Sequence, residues 1–287
     1  MAPSSSALLR SAKLSCIRAG KAVLECFDRS LTPSHGGYRT PSDVEANGSI
    51  LSDLVREHPD MPIVSEEGGV GVPGNGPFWI VDPLDGTWNY HHGGSKWAIS
   101  IAATDGGSLL CGVVHAPMLG ETYEFARGMA DPLLNGRPIG PSRSSFPGEW
   151  TVTAGAPSEA KERAGAFLEN IRRPLDTGDP KRPAIINAIM YGRGSMALEL
   201  CHLASGRIDG TLRFAQRRWD LAGGACIALG SGCTLETLDG ERLSDVLCLS
   251  NARDSFDILG ASDPSNASFL RRMASGEVRA WPDRKKK

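Results

Sequence analysis

Three short stretches carry acidic residues whose types and spacing could do chemistry. In "FWIVDPLDGT" (78–87), Asp82 and Asp85 stand three apart around Pro83, just ahead of Gly86. "VSEEGG" (64–69) offers Glu66 and Glu67 at the end of an expected strand, and "RRWDLAGG" (217–224) puts Asp220 where a helix should begin. Each has a plain structural explanation, since Asp, Pro and Gly are common turn residues and aspartate is a good helix N-cap. Taken together, Glu66, Asp82, Asp85 and Asp220 place four carboxylates at element ends, with no His or Cys beside them at ligand spacing. Oxygen-only ligation selects a hard cation, Mg²⁺ or Mn²⁺, over zinc. Metals held by shared aspartates are the apparatus of phosphate hydrolysis. The backbone N–H groups of Gly86 and Thr87, at the turn into the next element, suit an anion.

The elements that must position these residues fall into two patterns. Residues 7–28 and "SDVEANGSILSDLVREHP" (42–59) carry apolar positions at helical spacing and read as helices. Runs at 61–65, 78–82, 96–104, 109–116 and 121–125, punctuated by glycine turns, describe a largely antiparallel sheet flanked by those helices. After the Pro/Ser/Gly-rich "PIGPSRSSFPGEW" (138–150) the pattern alternates. Strand "WTVTA" is followed by a helix over 158–171, a strand over 185–191, helix "SMALELCHLAS" and strand "RIDGTLRF". A helix over 220–229 and strands "CTLETL" and "VLCLSN" complete it. This divides the chain into an N-terminal α+β domain, 1–140, carrying Glu66, Asp82 and Asp85, and a C-terminal α/β domain, 141–287, carrying Asp220.

Thirty-one Lys and Arg against 33 Asp and Glu leave a net charge of −2, which gives no reason to expect a nucleic-acid or membrane partner. No apolar run approaches the roughly 18 residues needed to span a bilayer. The seven scattered cysteines, without C-x-x-C, read as belonging to a reducing cytoplasm. His35, His91 and His92 read as turn and loop polarity, and Trp79, Trp97 and Trp219 as core anchors.

Phosphatases of the haloacid-dehalogenase type use D-x-D-G-T, whose first Asp is a covalent nucleophile. Here Pro83 stands two before Asp85, so that nucleophile is missing and direct attack by metal-activated water is expected. There is no G-x-S-x-G elbow, and "GRGS" (192–195) is too short for a dinucleotide loop. "VSEEG", "WIVDPLDGTWNYHHG" and "WDLAGG", in that order, resemble the inositol monophosphatase family of lithium-sensitive, Mg²⁺-dependent phosphatases, over nearly the whole chain. The resemblance implies an α/β (α+β layered) αβαβα sandwich, usually a homodimer. It implies two to three Mg²⁺, with Mn²⁺ possible, on Glu66, Asp82, the Leu84 carbonyl, Asp85 and Asp220. It also matches the family's T-x-x-D to Thr40–Asp43, making Asp43 and Thr87 the pair that activates water, with Glu66 counted in the catalytic set. Gly86 and Thr87 are assigned to phosphate, and Ser195, itself a good N-cap, to substrate.

The substrate expected is a small phosphate ester, a sugar, cyclitol or nucleotide phosphate; a bisphosphate nucleotidase or a histidinol-phosphate phosphatase is the alternative within the family. Inositol-specific members resemble one another in a glutamate seven residues before the W-D aspartate, and here Arg213 stands there. An arginine fork can hold a carboxylate or second phosphate, so Arg213 is assigned to an anionic group of the substrate. The rival from another class is a non-catalytic phosphometabolite-binding protein.

Overall fold

Helix α1 (Ser5–Glu25) begins at Ser4, whose Oγ accepts from the Ala7 N–H at 3.3 Å, and it buries the stripe Leu8, Ala12, Cys16, Ala19 and Val23. Small residues on that stripe let it lie close to what it covers. Helix α2 (Pro41–Glu57) opens on a capping box between Thr40 and Asp43, with Pro41 pre-set for the first turn. The computed structural model describes residues 3–27, 40–143, 150–157, 160–172, 188–191, 194–249 and 255–277.

The first sheet is built in chain order from β1 (Ile63–Ser65), β2 (Phe78–Asp85), β3 (Ala98–Thr104), β4 (Leu109–Ala116), β5 (Glu121–Ala126), β6 (Leu133–Leu134) and β7 (Arg137–Pro138). Only β1 and β2 run parallel; the others are antiparallel. A five-residue helix, α3 (Thr87–His91), follows β2 directly. Every residue of β2 is buried, because helices cover both faces of the sheet, and that is why its sequence is a continuous apolar run.

The second sheet has the order β11-β12-β10-β8-β9. Its elements are β8 (Thr151–Gly155), α4 (Lys161–Arg172), β9 (Ala188–Tyr191), α5 (Met196–Ala204), β10 (Gly210–Gln216), α6 (Arg218–Gly230), β11 (Thr234–Thr237), α7 (Leu243–Leu247), β12 (Phe256–Ala261) and α8 (Pro264–Ala274). Strands β9, β8 and β10 are parallel, and β12 runs antiparallel to β10 and β11.

Five layers result: α1 and α2, the first sheet, α5 and α6, the second sheet, then α4 and α8. Three larger apolar cores and a small fourth fill the spaces between them among the described residues. One joins α1 and α2 to the first sheet, a second wraps α5 and α6 between the two sheets, and a third lies under α4 and α8. The expected αβαβα sandwich is the observed architecture. The two glycines of "WDLAGG" are what let the middle layer close. A Cβ on Gly223 would lie 2.4 Å from Ser100 Oγ, and one on Gly224 would lie 2.5 Å from the Ala197 carbonyl. Two mid-helix glycines cost about 2 kcal/mol against alanine, and they seat α6 against β3 and α5 at once.

Several elements differ from the sequence reading. The strand expected at "VLCLSN" (246–251) is absent among its described residues: Val246 and Leu247 end helix α7 (Leu243–Leu247), where Leu243, Val246 and Leu247 recur at three and four residues and bury one face, and residues 250–251 lie outside the described residues. "FDILGA" and the helix after it, capped by Asp263, were not anticipated; the former is β12, buried because it sits between β10 and β11. Residues 28–39 with His35, the first two residues of the helix expected over 158–171 and the first three of the strand expected over 185–191 lie outside the described residues. A division at residue 140 would separate the two sheets, yet α5 and α6 from the later half pack on both. No described helix is long and apolar enough to cross a membrane.

Candidate active site

The site forms where β2 ends, and a bulge makes it. Asp82 pairs with Ser100 and Asp85 with Ala98, so three steps on β2 oppose two on β3. In a regular strand, residues three apart point to opposite faces. One extra residue returns Asp85 to the side of Asp82, and Pro83, which could not serve a regular ladder, is tolerated at the bulge. Asp220 arrives from the first turn of α6. One carboxylate oxygen from each of Asp82, Asp85 and Asp220 then lies within 4.8 Å of the others.

Four helix starts converge on this point. Asp220 accepts the Arg217 N–H at 2.9 Å and caps α6. Asp85 is gripped by the start of α5, where its Oδ2 accepts from Ser195 Oγ at 2.6 Å and from the Ala197 N–H at 2.7 Å. Ser195 is also the N-cap of that helix, accepting from the Leu198 N–H at 2.9 Å. Gly86 turns β2 into α3 at φ 90°, a left-handed conformation that glycine adopts without penalty, and a Cβ there would lie 2.8 Å from the Lys96 carbonyl. The fourth start is that of α2. Asp43 Oδ2 accepts from the Thr40 N–H at 2.7 Å and Thr40 Oγ1 at 2.5 Å, while its Oδ1 accepts from Thr87 Oγ1 at 3.2 Å. Thr87 Oγ1 also lies 2.9 Å from the Leu84 carbonyl. Helix starts carry partial positive charge, so they favour carboxylates and anions.

That charge does not balance the cluster. Burial, then repulsion from Glu66, Asp85 and Asp220, holds the Asp82 carboxyl well above the usual carboxylate range. Asp85 is likewise raised by burial and by Asp220, against the Ser195 and Ala197 hydrogen bonds. Burial lifts Asp220 to about 6, opposed by the Arg217 N–H and its positive charge. Glu66, outside the 4.8 Å group and at its open side, is pushed up to about 7 by burial of its carboxyl and by Asp220, Glu67 and Asp43. Burial also raises Asp43, less the hydrogen bonds from Thr40 and Thr87. Asp82 Oδ2 is buried with no hydrogen-bond partner among the described residues. Oxygen donors only, mutual repulsion and an orphaned buried oxygen fit a divalent cation.

Among the other residues singled out, Trp79 and Trp97 are fully buried in the core under α1, and Trp219 packs on a smaller cluster with Phe78 and Ile80. His92 stacks on Trp88 at 4.0 Å and its Nδ1 lies 2.7 Å from the Trp88 carbonyl, so it serves the turn. Arg213 is neither a free fork nor a rim residue. It is buried on β10, with Nε donating to Glu199 Oε1 at 2.8 Å and its second arm bonded to Glu199 Oε2. The assignment to a substrate anion is corrected accordingly: the two-donor edge that would have held it grips Glu199. The sequence reading passed over Glu199, although a lone acid in the apolar helix "SMALELCHLAS" was the available signal.

The profile of the inositol monophosphatase family matches residues 6–270. Nus factor SuhB of Vibrio cholerae is 31% identical over 222 residues, 76% of this chain and 79% of that protein. Fructose-1,6-bisphosphatase/inositol-1-monophosphatase of Aquifex aeolicus is 27% identical over 257 residues, 86% of this chain and 92% of that one. The crystal structure of the extragenic suppressor protein suhB from Bartonella henselae superposes with a TM-score of 0.80 at 22% identity, covering 95% of this chain and all of that one. Motifs, layers and overall match converge, and the chain belongs to the inositol monophosphatase family.

Proposed function

We propose that this protein is a Mg²⁺-dependent phosphomonoesterase acting on a small phosphorylated metabolite. The observation that carries this reading is the group of three carboxylates, from Asp82, Asp85 and Asp220, within 4.8 Å of one another and raised in pKa by burial and repulsion. Those three would hold the metal, with Glu66 and the Leu84 carbonyl completing two to three sites for Mg²⁺ or Mn²⁺. A bound divalent cation supplies Lewis-acid stabilisation of phosphoryl oxygens and lowers the pKa of water. Thr87 and Asp43 take the proton: the Thr87 hydroxyl, held between Asp43 Oδ1 and the Leu84 carbonyl, keeps lone pairs to receive it, and Asp43 is the carboxylate behind it. The N–H groups of Gly86 and Thr87 bind the phosphate at the start of α3, and Ser195 stands beside them through its bond to Asp85.

Because Glu199 occupies Arg213, a second anion in the substrate is not part of this reading. Sugar, cyclitol and nucleotide monophosphates remain the class, acted on by a homodimer as the family resemblance implies. Phosphate release from inositol 1-phosphate, fructose 1,6-bisphosphate, 3'-phosphoadenosine 5'-phosphate, histidinol phosphate and nucleoside monophosphates tests it. Turnover should require Mg²⁺ and stop with EDTA. Thr87→Ala should lower kcat by about 10²-fold or more, the loss typical of proton-transfer assistance, with Mg²⁺ affinity within about twofold. Folded protein without turnover on the whole panel would favour a phosphometabolite-binding protein.

A further inference from the structure

The Glu199–Arg213 pair is held by more hydrogen bonds than packing alone demands. Glu199 Oε1 accepts from Thr153 Oγ1 on β8 at 2.6 Å, from Thr211 Oγ1 on β10 at 2.6 Å and from Arg213 Nε at 2.8 Å; Oε2 takes the other arm of the guanidinium. Three side chains from two strands of the second sheet therefore bring four hydrogen bonds to one acid in the first turn of α5. On its other side the same turn faces the first sheet, where Ser195 Oγ and the Ala197 N–H hold Asp85 Oδ2 and the Ser195 N–H donates to the Lys96 carbonyl at 3.2 Å. The start of α5 is a bracket between the sheets, fixed at one end by Glu199 and closing on Asp85 at the other.

We propose that Glu199 and Arg213 are positioning residues for the metal site: they set the start of α5 against the second sheet, so that Ser195 and Ala197 occupy Asp85 Oδ2 and leave Asp85 Oδ1 for the cation. The bidentate fork fixes direction as well as distance, which a single hydroxyl could not. Ligand geometry tolerates only about 0.5 Å of drift, so a shift of α5 reaches the metal through Asp85. The proposal rests on the metal-site reading above and adds to it two residues that act through the start of α5.

Calorimetric titration of the full chain with Mg²⁺ alone, beside thermal unfolding in EDTA, tests it. Glu199→Gln keeps the shape and loses the charge, and should weaken Mg²⁺ binding by about 10-fold, the low end for an outer-shell partner of a ligand. Arg213→Lys, which keeps the charge and loses the fork, should do the same to a lesser degree and serves if Glu199→Gln fails to fold. Ser195→Ala removes the side-chain half of the link to Asp85 and leaves the Ala197 N–H, so the losses of Glu199→Gln and Ser195→Ala should combine to less than their product. A lowered melting temperature with Mg²⁺ affinity within about twofold of wild type would make the pair merely structural and overturn the proposal. So would losses that multiply in the double variant. Wild-type protein that binds no Mg²⁺ would sink the metal-site reading itself, and this inference with it.

Discussion

Two buried acid clusters lie on either side of α5, and they are opposite in design. On one side Asp82, Asp85 and Asp220 crowd together, every shift is upward, and Asp82 Oδ2 has no partner among the described residues. On the other, burial alone would raise Glu199, but the charge and fork of Arg213 with the hydroxyls of Thr153 and Thr211 bring it below the usual range. The second cluster is complete within the chain. The first keeps a surplus of negative charge and an oxygen that no described group satisfies. A buried acid with all its donors in place holds structure together; a buried acid surplus at the mouth of four helices marks a place kept for a ligand.

The most forceful way to break this comparison is to substitute in the unbalanced cluster. Asp220→Asn keeps an oxygen to accept the Arg217 N–H and removes one charge from the metal. Its kcat/KM on the preferred ester should fall by about 10³-fold, the several kcal/mol a metal contributes. Its melting temperature in EDTA should match or exceed that of wild type, because a repelling charge is gone. Wild-type rates at limiting Mg²⁺ would show that Asp220 is not a ligand. The same treatment of the balanced cluster should cost stability as well as metal affinity. Arg213→Met leaves Glu199 buried and unpaired, and should cost about 3 kcal/mol of stability in a urea titration. A loss under about 1 kcal/mol would mean that Thr153 and Thr211 suffice.

The smallest expected effect sharpens the contrast by pH. In metal-free protein, Glu66 at about 7 and Asp220 at about 6 hold protons that the unfolded chain has already lost. Their contribution to stability is therefore full below the unfolded carboxylate values, about 4, and disappears as pH rises through about 6 to 7. Glu199, being lowered, contributes above its unfolded value and is lost only on acidification through its folded one. Thermal scans in EDTA should show the melting temperature falling by a few degrees from about pH 5 to about pH 7.5. Saturating Mg²⁺ should abolish or reverse that slope; a slope unchanged by Mg²⁺ would separate these carboxyls from the metal.

By itself the sequence determined a great deal of this protein, because much of its chemistry is local. Apolar periodicity placed α1, α2 and the first five of the seven strands of the first sheet, and the D-P-x-D-G-T and W-D stretches named the three acids that the fold brings within 4.8 Å. The pairing of Asp43 with Thr87 came only from the family resemblance, because it joins α2 to the start of α3 across 44 residues. What needed the tertiary structure was every relation that spans the layers. Residues 82 and 85 share a face only because β3 opposes three steps of β2 with two of its own. β12 is a buried central strand because of its neighbours, and its six residues carry no pattern that says so. Arg213 looked like an open fork for a substrate until the fold set Glu199 against it, a partner fourteen residues away on another element. Charge can be counted along a chain, but whether a charge is spent within the protein or left for a ligand depends on what the packing places within about 3 Å of it.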